Sequence, residues 1–385
     1  MVSAKQCWQE GPGRWATTGG FPGQITGLAS LFDETTLAIV EVEPRPGGMA
    51  LPAHATVVPL RPPAGSGLGR KLAVLAGLPY YFGRILAAVA RADVVYVPLP
   101  GDLSLLGFAA AVLLHKRLIA RYGSSWPATA QTTTMNRFTK FCMRAFAGPS
   151  RVMIATGDGD APPAPGVDWL YATALSRDEL DRIAPEFDRG LGTPPTLVYL
   201  GRLSPEKGPG VLVRALALLN KRGFQPMPRL LFIGDGPDRA ALERSSRELG
   251  CENLIEFAGQ LDRTALGQRL MGADLCVQPS LTESQAKAWL DAMAYGLPVL
   301  ASEVGSGRRV MGESGERGWL VPPGDDEALA TRLEEVLGGA RDWPALRRRC
   351  RAYAEARTLE AWTRRIGEMC ASRWNARYTE GRVVL

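Results

Sequence analysis

Histidine is almost missing from this chain: His54 and His115 are the only two among 385 residues. The six cysteines, Cys7, Cys142, Cys251, Cys276, Cys350 and Cys370, show no paired spacing and mostly fall in apolar segments. Neither a zinc site nor a disulfide framework is expected, and free thiols in a reducing compartment are the natural reading. No run reaches the roughly 18 to 20 apolar residues that a membrane-spanning helix needs. The opening MVSAKQCWQEGPGRW has no apolar h-region, which predicts no signal peptide and a soluble, cytoplasmic chain. There is no nucleic-acid recognition motif and no aromatic-interleaved basic run, so nucleic acid is not an expected partner.

Acids are scarce in one region. From Arg45 to Arg151 there are thirteen Lys or Arg against two acids, Asp93 and Asp102. Two strongly apolar segments lie there as well, LAVLAGLPYYFGRILAAV at 72–89 and LSLLGFAAAVLL at 103–114. Basic plus apolar surface suits peripheral contact with an anionic membrane or a phosphorylated acceptor. Core helices with a solvated arginine face fit the same residues.

What the chain does have is length and alternation. At about 150 residues per domain, 385 residues make two or three domains. The 43 Gly and 29 Pro are spread between periodic segments, as in a loop-rich α/β protein rather than a disordered one. Short apolar strands are predicted at 37–40, 56–60, 94–97, 117–120 and 152–155, with a helix over roughly 129–147. A glycine-rich loop containing Gly19 and Gly20 precedes the apolar segment 25–32 and would let backbone approach a phosphate or sugar. Asp102 is placed to cap the next helix, and RYGSS at 121–125 reads as the loop after strand 117–120. EFDRGLGTPP at 186–195 has the composition of a linker. Beyond it, strands at 196–200, 229–233, 254–257, 273–278 and 299–301 alternate with helices at 211–222, 237–249 and 284–295.

This pattern predicts an α/β fold of two Rossmann-like, doubly wound domains. Residues 1–188 form the first, 189–195 a linker and 196–357 the second. A helical segment at 358–385 closes the chain, and a return to the first domain is one path for it.

The stretch 279–302, PSLTESQAKAWLDAMAYGLPVLAS, reads as strand end, acidic loop, helix and strand. Ligands of such sheets bind at the carboxyl ends of the strands. Glu283 is at that end, next to a helix N-terminus offering free backbone N–H groups. On one helix, Glu283 and Asp291 would stand about two turns and roughly 80° apart, too far to share a proton or a metal. They suit the two ends of an elongated ligand, one near a reacting sugar and one accepting hydrogen bonds from vicinal hydroxyls. Spacing alone equally allows a dipole-favoured helix-start acid and a solvated position. Arg202 and Lys207, in the loop after the first strand of this domain, are on the same edge and could hold a diphosphate. The GDG at 234–236 lacks the third glycine of a dinucleotide fingerprint, so no nicotinamide cofactor is expected.

Six motifs occur in order: GRLSPEKG at 201–208, GDGP at 234–237, FAGQL at 257–261, PSLTE at 279–283, DAMAYGLPV at 291–299 and GWLVPPGD at 318–325. Together they resemble those of retaining GT-B nucleotide-sugar glycosyltransferases of the family 4 type, which build glycolipids and bacterial polysaccharides. The resemblance covers the second domain well and the first in outline. It implies two Rossmann-like domains facing each other across a cleft, with donor on the second and acceptor on the first. It assigns Arg202 and Lys207 to the leaving diphosphate and Glu283 to the transferred sugar. Backbone N–H groups of Ser284, Gln285, Ala286 and Lys287 would hold sugar or phosphate, and Asp291 the ribose hydroxyls. Gly259, Gln260 and Leu261 would face the base, with Gly234 also on the donor side.

Candidates on the acceptor side are Gly19, Gly20, Asp102, Arg121, Tyr122 and Ser124. The implied reaction retains anomeric configuration and needs no metal or cofactor, with a UDP- or GDP-type donor. The acceptor would be a glycan or a lipid-linked one, at the inner face of the cytoplasmic membrane. Two other readings share the architecture: a degenerate nucleotide-sugar-binding partner subunit, and a nucleotide-sugar epimerase or hydrolase.

The chain departs from the family pattern in several places, among them a glycine-rich loop at Gly19 and Gly20 that is offset from any clear first strand. Asp291 stands where the family usually has Glu. Ser284-Gln285-Ala286-Lys287 stands where glycine and an aromatic are common. The loop at 121–125 lacks the histidine that many members carry.

Overall fold

Runs of apolar residues bounded by glycine or proline form strands throughout this computed structural model, which describes residues 1–385 except 19–20, 46–47, 66 and 129–131. The chain divides into two units. One joins Met1–Ala174 with Leu359–Leu385, and the other is Leu175–Thr358.

The first unit opens on β1 (Val2–Gly11) and β2 (Arg14–Thr17), an antiparallel pair, followed by α1 (Phe21–Ser30). Next come β3 (Thr35–Glu41), β4 (Met49–Ala50), β5 (Ala55–Leu60), α2 (Gly67–Ala76) and α3 (Leu78–Ala90). β6 (Val94–Leu99), α4 (Asp102–Leu113), β7 (Arg117–Tyr122), α5 (Thr134–Ala145), β8 (Arg151–Thr156) and β9 (Val167–Leu170) complete this part. The ladders give one sheet of order β4-β2-β1-β3-β5 and a parallel sheet of order β6-β7-β8-β9.

Three expectations for this unit need correction. The first strand is β1, which sequence reading missed because VSAKQCWQEG mixes polar and apolar residues without clean alternation. The strand at 117–120 extends to Tyr122, since Arg121 and Tyr122 pair in register with Pro98 and Leu99 of β6. Arg121 and Tyr122 are therefore strand residues rather than loop residues. Helix α5 starts at Thr134, where the Thr133 hydroxyl accepts the Asn136 N–H at 3.2 Å and fixes the first turn, while the expected start at 129 lies outside the described residues.

The second unit begins earlier than expected. α6 (Arg177–Arg182) carries a capping box between Ser176 and Glu179. The supposed linker is anchored to the same unit: Gly192 N–H donates to the buried Asp274 at 3.2 Å, and Arg189 pairs with Asp274 at 3.1 Å. The expected boundary at 188 and linker at 189–195 are thus replaced by a boundary at Ala174.

Then follow β10 (Thr196–Leu200), α7 (Pro209–Lys221), β11 (Arg229–Ile233), α8 (Arg239–Glu248), β12 (Ile255–Gly259) and α9 (Arg263–Met271). The remainder is β13 (Leu275–Gln278), α10 (Lys287–Ala294), β14 (Val299–Ser302), α11 (Gly307–Met311), β15 (Gly318–Val321), α12 (Asp326–Gly338) and α13 (Trp343–Glu355). All six strands are parallel in the order β12-β11-β10-β13-β14-β15. Counted within the unit this is 3-2-1-4-5-6, so the topological switch point lies between β10 and β13. Both faces are covered. Leu197 and Tyr199 of β10 pack with α7 and α12 residues, while Val198 and Leu200 pack with α10 and α13 residues.

The tail is α14 (Leu359–Trp374) and an antiparallel hairpin, β16 (Arg377–Thr379) with β17 (Arg382–Val384). The last residues are therefore not helical, with Asn375 (φ 50°) and Glu380 (φ 51°) at the breaks. The tail belongs to the first unit. Trp362, Ile366 and Cys370 join Tyr96, Ile119 and Ile154 in one core cluster, on the sheet face that α1 also covers. The alternate residues, Val95, Val97, Leu118, Ala120 and Met153, share a second cluster with residues of α3, α4 and α5.

Both apolar segments of the first unit contribute to its core, through Leu103, Phe108, Ala110 and Ala111 of α4 and through Tyr81, Ile85 and Val89 of α3, whereas Leu72 and Leu75 of α2 are exposed. No helix among the described residues is long and apolar enough to cross a membrane.

Candidate active site

The switch point is built by backbone before any functional side chain enters. The buried Gln278, last residue of β13, donates from Nε2 to the Leu200 carbonyl at 2.7 Å and ties the ends of β13 and β10 together. The loop after β10 turns through a 3-10 helix, Pro205–Lys207, into Gly208 at φ 66°. A β-carbon on Gly208 would overlap the Pro279 carbonyl oxygen, so this left-handed position must be glycine for contact as well as for torsion. Leu281 N–H then donates to the Glu206 carbonyl at 2.9 Å.

Interlocked in this way, the two loops bring Lys207 to Glu283. Lys207 Nζ donates to Glu283 Oε2, and the Glu283 side chain is only 12% exposed. Glu206 in the same loop is held below the ordinary carboxylate range, chiefly by the Ser204 hydroxyl at 2.6 Å.

Arg202 lies on the other side of that loop. It is exposed and lines an open pocket of about 560 Å³ with Gly201, Gly234, Asp235, Gly236 and Gln260, at the carboxyl ends of β10, β11 and β12. Gly234 N–H donates to the Gly259 carbonyl at 2.8 Å and Leu203 N–H to the Asp235 carbonyl at 3.0 Å, which ties these three loops together. Arg202, Gly234, Gly259 and Gln260 are thus neighbours. Leu261 instead packs against the α9–α10 side of the core.

Helix α10 starts at Lys287, three residues later than expected. Ser284 is captured from elsewhere: its carbonyl accepts from the Ser306 N–H at 2.9 Å and the Ser306 hydroxyl at 3.1 Å. Gly305, at φ 55°, packs so tightly on the Glu283 and Ser284 carbonyls that a side chain there would collide with both. Gln285 and Ala286 are buried walls of this loop. Glu283 is therefore a loop residue, and the 80° helical separation from Asp291 does not apply.

Asp291, on α10, faces Arg263 at 3.7 Å, and Arg263 also pairs with Glu179 at 3.1 Å. Burial raises the Asp291 carboxyl above its ordinary range, Arg263 opposes that shift, and Glu179 adds to it.

Sequence reasoning missed Asp235, Gly236, Gly305 and Ser306. The signal was present in VGSG at 304–307, which repeats the strand, glycine loop and helix pattern seen after β10 and β11. Among the described residues no group of three or more His, Cys, Asp or Glu is placed to hold a metal ion.

The first-unit candidates do not converge in the same way. Gly19 and Gly20 lie outside the described residues. Asp102 is the first residue of α4 rather than its cap, and its carboxylate pairs with Arg70 at 3.1 Å. Arg121 is buried, donates to Gln24 Oε1 at 3.0 Å and stands 5.4 Å over the Trp362 ring. Tyr122 is buried edge-on to Trp126. Both side chains hold the core because β7 is covered on both faces. Ser124, half-buried, is left at the strand's carboxyl end.

A doubly wound parallel sheet with basic and acidic loops meeting at its switch point is an α/β ligand-binding unit of the Rossmann type. Residues 184–357, a little under half of the chain and nearly all of the second unit, match the family model of glycosyl transferases group 1.

The chain is 34% identical over 203 residues to a D-inositol 3-phosphate glycosyltransferase of Jonesia denitrificans, covering 51% of this chain and 47% of that protein. It is 29% identical over 265 residues to a GDP-mannose-dependent alpha-(1-6)-phosphatidylinositol monomannoside mannosyltransferase of Mycolicibacterium smegmatis, covering 64% and 63%. The chain thus spans about half to two thirds of the length of these curated relatives. Among solved structures, Anabaena HepE, crystallised with UDP and glucose, aligns over 97% of this chain and 100% of its own, with TM-score 0.67 and 18% identity. WaaG, a glycosyltransferase of lipopolysaccharide biosynthesis, aligns over 94% and 97%, with TM-score 0.64 and 16% identity. The fold is that of the GT-B glycosyltransferases.

Proposed function

We propose that this protein transfers a sugar from a nucleoside-diphosphate sugar to a glycan or lipid-linked acceptor, with retention at the anomeric carbon and without a metal. The observation that carries the reading is the Lys207–Glu283 pair at the switch point of the second unit, with the Arg202 pocket on the same edge of the sheet at the carboxyl ends of β10, β11 and β12. An acceptor hydroxyl oxygen bonds to the anomeric carbon as the bond from that carbon to the β-phosphate oxygen breaks. The leaving phosphate oxygen takes the hydroxyl proton on the same face, which preserves configuration. Charge develops on the diphosphate, where two cations, Arg202 and Lys207, stabilise it. Glu283 stands beside the sugar, and the loop at 284–287 supplies backbone N–H groups. Asp291 accepts from the ribose, and the backbone at 259–261 meets the base. The donor class, UDP or GDP type, agrees with a relative whose name specifies GDP-mannose and a structural neighbour solved with UDP. A lipid-linked acceptor places the enzyme at an anionic membrane.

The deciding experiment is a thermal-stability screen with UDP, GDP, ADP and their sugars, since a ligand at 100 times its Kd adds about 2.7 kcal/mol. Product stereochemistry is then read by NMR on the best donor and a lipid-linked acceptor, with and without EDTA. Inversion, or activity lost to EDTA, overturns the mechanism. Free or epimerised sugar without acceptor would assign a hydrolase or epimerase, and binding without turnover a partner subunit.

A further inference from the structure

Helix α5 of the first unit carries apolar side chains on two sides, with Cys142 and Met143 in the core and a second set facing outward. Its buried positions hold Thr139, Lys140, Cys142 and Met143, while Met135, Phe138 and Phe141 are 39%, 54% and 62% exposed. Spaced three residues apart, these three side chains fall within about 120° of one helical stripe. Arg137 and Arg144, both exposed, border the stripe on one side. Single exposed apolar residues are ordinary, but an aligned apolar stripe edged by charge of one sign marks an interaction surface.

The charge is one-signed well beyond the helix. Between Asp102 and Asp158 the sequence contains no acid, while the same span holds Lys116, Arg117, Arg137, Arg144 and Arg151 outside the core, besides the buried Arg121 and Lys140. A second copy of this chain is a poor occupant, because a self-complementary contact would set Arg137 and Arg144 against their own counterparts. A bilayer rich in anionic lipid offers both halves of the complement: an apolar layer at shallow depth and a continuous sheet of phosphates.

We propose that α5 is the membrane-docking surface of the first unit, lying in the plane of an anionic bilayer. Met135, Phe138 and Phe141 enter the headgroup and acyl boundary, and Arg137 and Arg144 reach the lipid phosphates with their stems along the apolar layer. Twelve residues, Thr134–Ala145, are too few to span a bilayer but enough for such a seat. This deepens the reading of a membrane-associated acceptor and rests on it.

The test is flotation of the full chain with vesicles of phosphatidylglycerol and phosphatidylcholine, against phosphatidylcholine alone, at low and high salt. Wild type is expected to float with the anionic vesicles, less so as salt rises. F138S/F141S is expected to bind at least about tenfold more weakly, and R137Q/R144Q about fivefold more weakly for each charge removed. R137K/R144K should retain most of the binding. All these side chains are exposed, so circular dichroism should show an unchanged fold.

Wild-type flotation by F138S/F141S, or equal binding to neutral vesicles, overturns the proposal. So does a wild-type dimer that F138S/F141S converts to monomer, which would make the stripe a self-association surface. UDP and GDP affinity measured on the same samples separates the two readings: vesicle binding through α5 without nucleotide binding keeps this surface and removes the donor assignment.

Discussion

Lys207 and Glu283, 76 residues apart in sequence, form a hydrogen-bonded ion pair at the carboxyl ends of adjacent strands β10 and β13. On the proposed function, a diphosphate sugar seated here would compete for the ammonium that Glu283 holds in the ligand-free protein. Lys207→Ala and Arg202→Ala should each weaken UDP or GDP binding about tenfold or more, the ordinary loss for a charge-assisted hydrogen bond. Isothermal titration checks this, and unchanged nucleotide affinity refutes their role. Glu283→Ala should abolish turnover while the thermal midpoint stays within a few degrees, and a near-normal kcat would remove Glu283 from the reaction.

Gly208 is the hinge on which that pair depends. Gly208→Ala imposes a β-carbon at φ 66° and drives it into the Pro279 carbonyl oxygen. A loss of about 1 to 3 kcal/mol is expected from the torsion and displaced loop, with a fall in donor affinity as Lys207 leaves Glu283. Urea unfolding and nucleotide titration should both respond. A variant as stable as wild type would show that the two loops do not touch as described.

Asp291 carries a pH prediction. Burial raises its carboxyl, so it takes up a proton at a higher pH than an ordinary Asp. The unfolded chain ionises first, and the native state then binds the extra proton. The contribution of this group to stability therefore falls as pH rises from about 3.9 through the raised folded value. Asp291→Asn should remove that slope. If Asp291 accepts from ribose hydroxyls, donor affinity should fall on acidification in wild type and become flat in Asp291→Asn. Arg263→Gln, which removes the opposing cation, should move the wild-type transition to still higher pH.

Asp274 tests what holds the second unit together away from the site. It is 1% exposed and accepts from Arg347 at 3.2 Å, the Thr196 N–H at 2.8 Å and the Gly192 N–H at 3.2 Å. Asp274→Ala would leave the buried Arg347 without its carboxylate, at a cost of about 3 to 5 kcal/mol. Denaturant unfolding should show the loss, and Asp274→Ala with Arg347→Leu should recover part of it.

Five of the six strands of the second unit were legible because each is a short, largely apolar run, and a parallel strand covered on both faces has no polar alternation to hide it, whereas β15 at 318–321 was read only as part of a motif. That placed Arg202, Lys207, Gly234 and Glu283 on loops at strand ends, on one edge of one sheet. Local pattern stops there. The start of α10 was misread because the Ser284 carbonyl is taken by Ser306, 22 residues later, and no helical spacing shows that. Arg121 and Tyr122 looked like loop residues until the β6–β7 register drew them into the strand.

By itself, the sequence determined the alternation of strands and helices, the two-unit α/β class and the chemical types at the candidate site, because apolar periodicity and loop composition are local properties. Only the tertiary structure decided the neighbours. The 3-2-1-4-5-6 strand order sets β10 beside β13 and so Lys207 beside Glu283. The anchoring of Gly192 and Arg189 to Asp274 moves the boundary to Ala174. Packing turns the same kind of apolar residue inward on α4 and outward on α5. Each of these depends on contacts between residues distant in the chain, which composition and spacing do not encode.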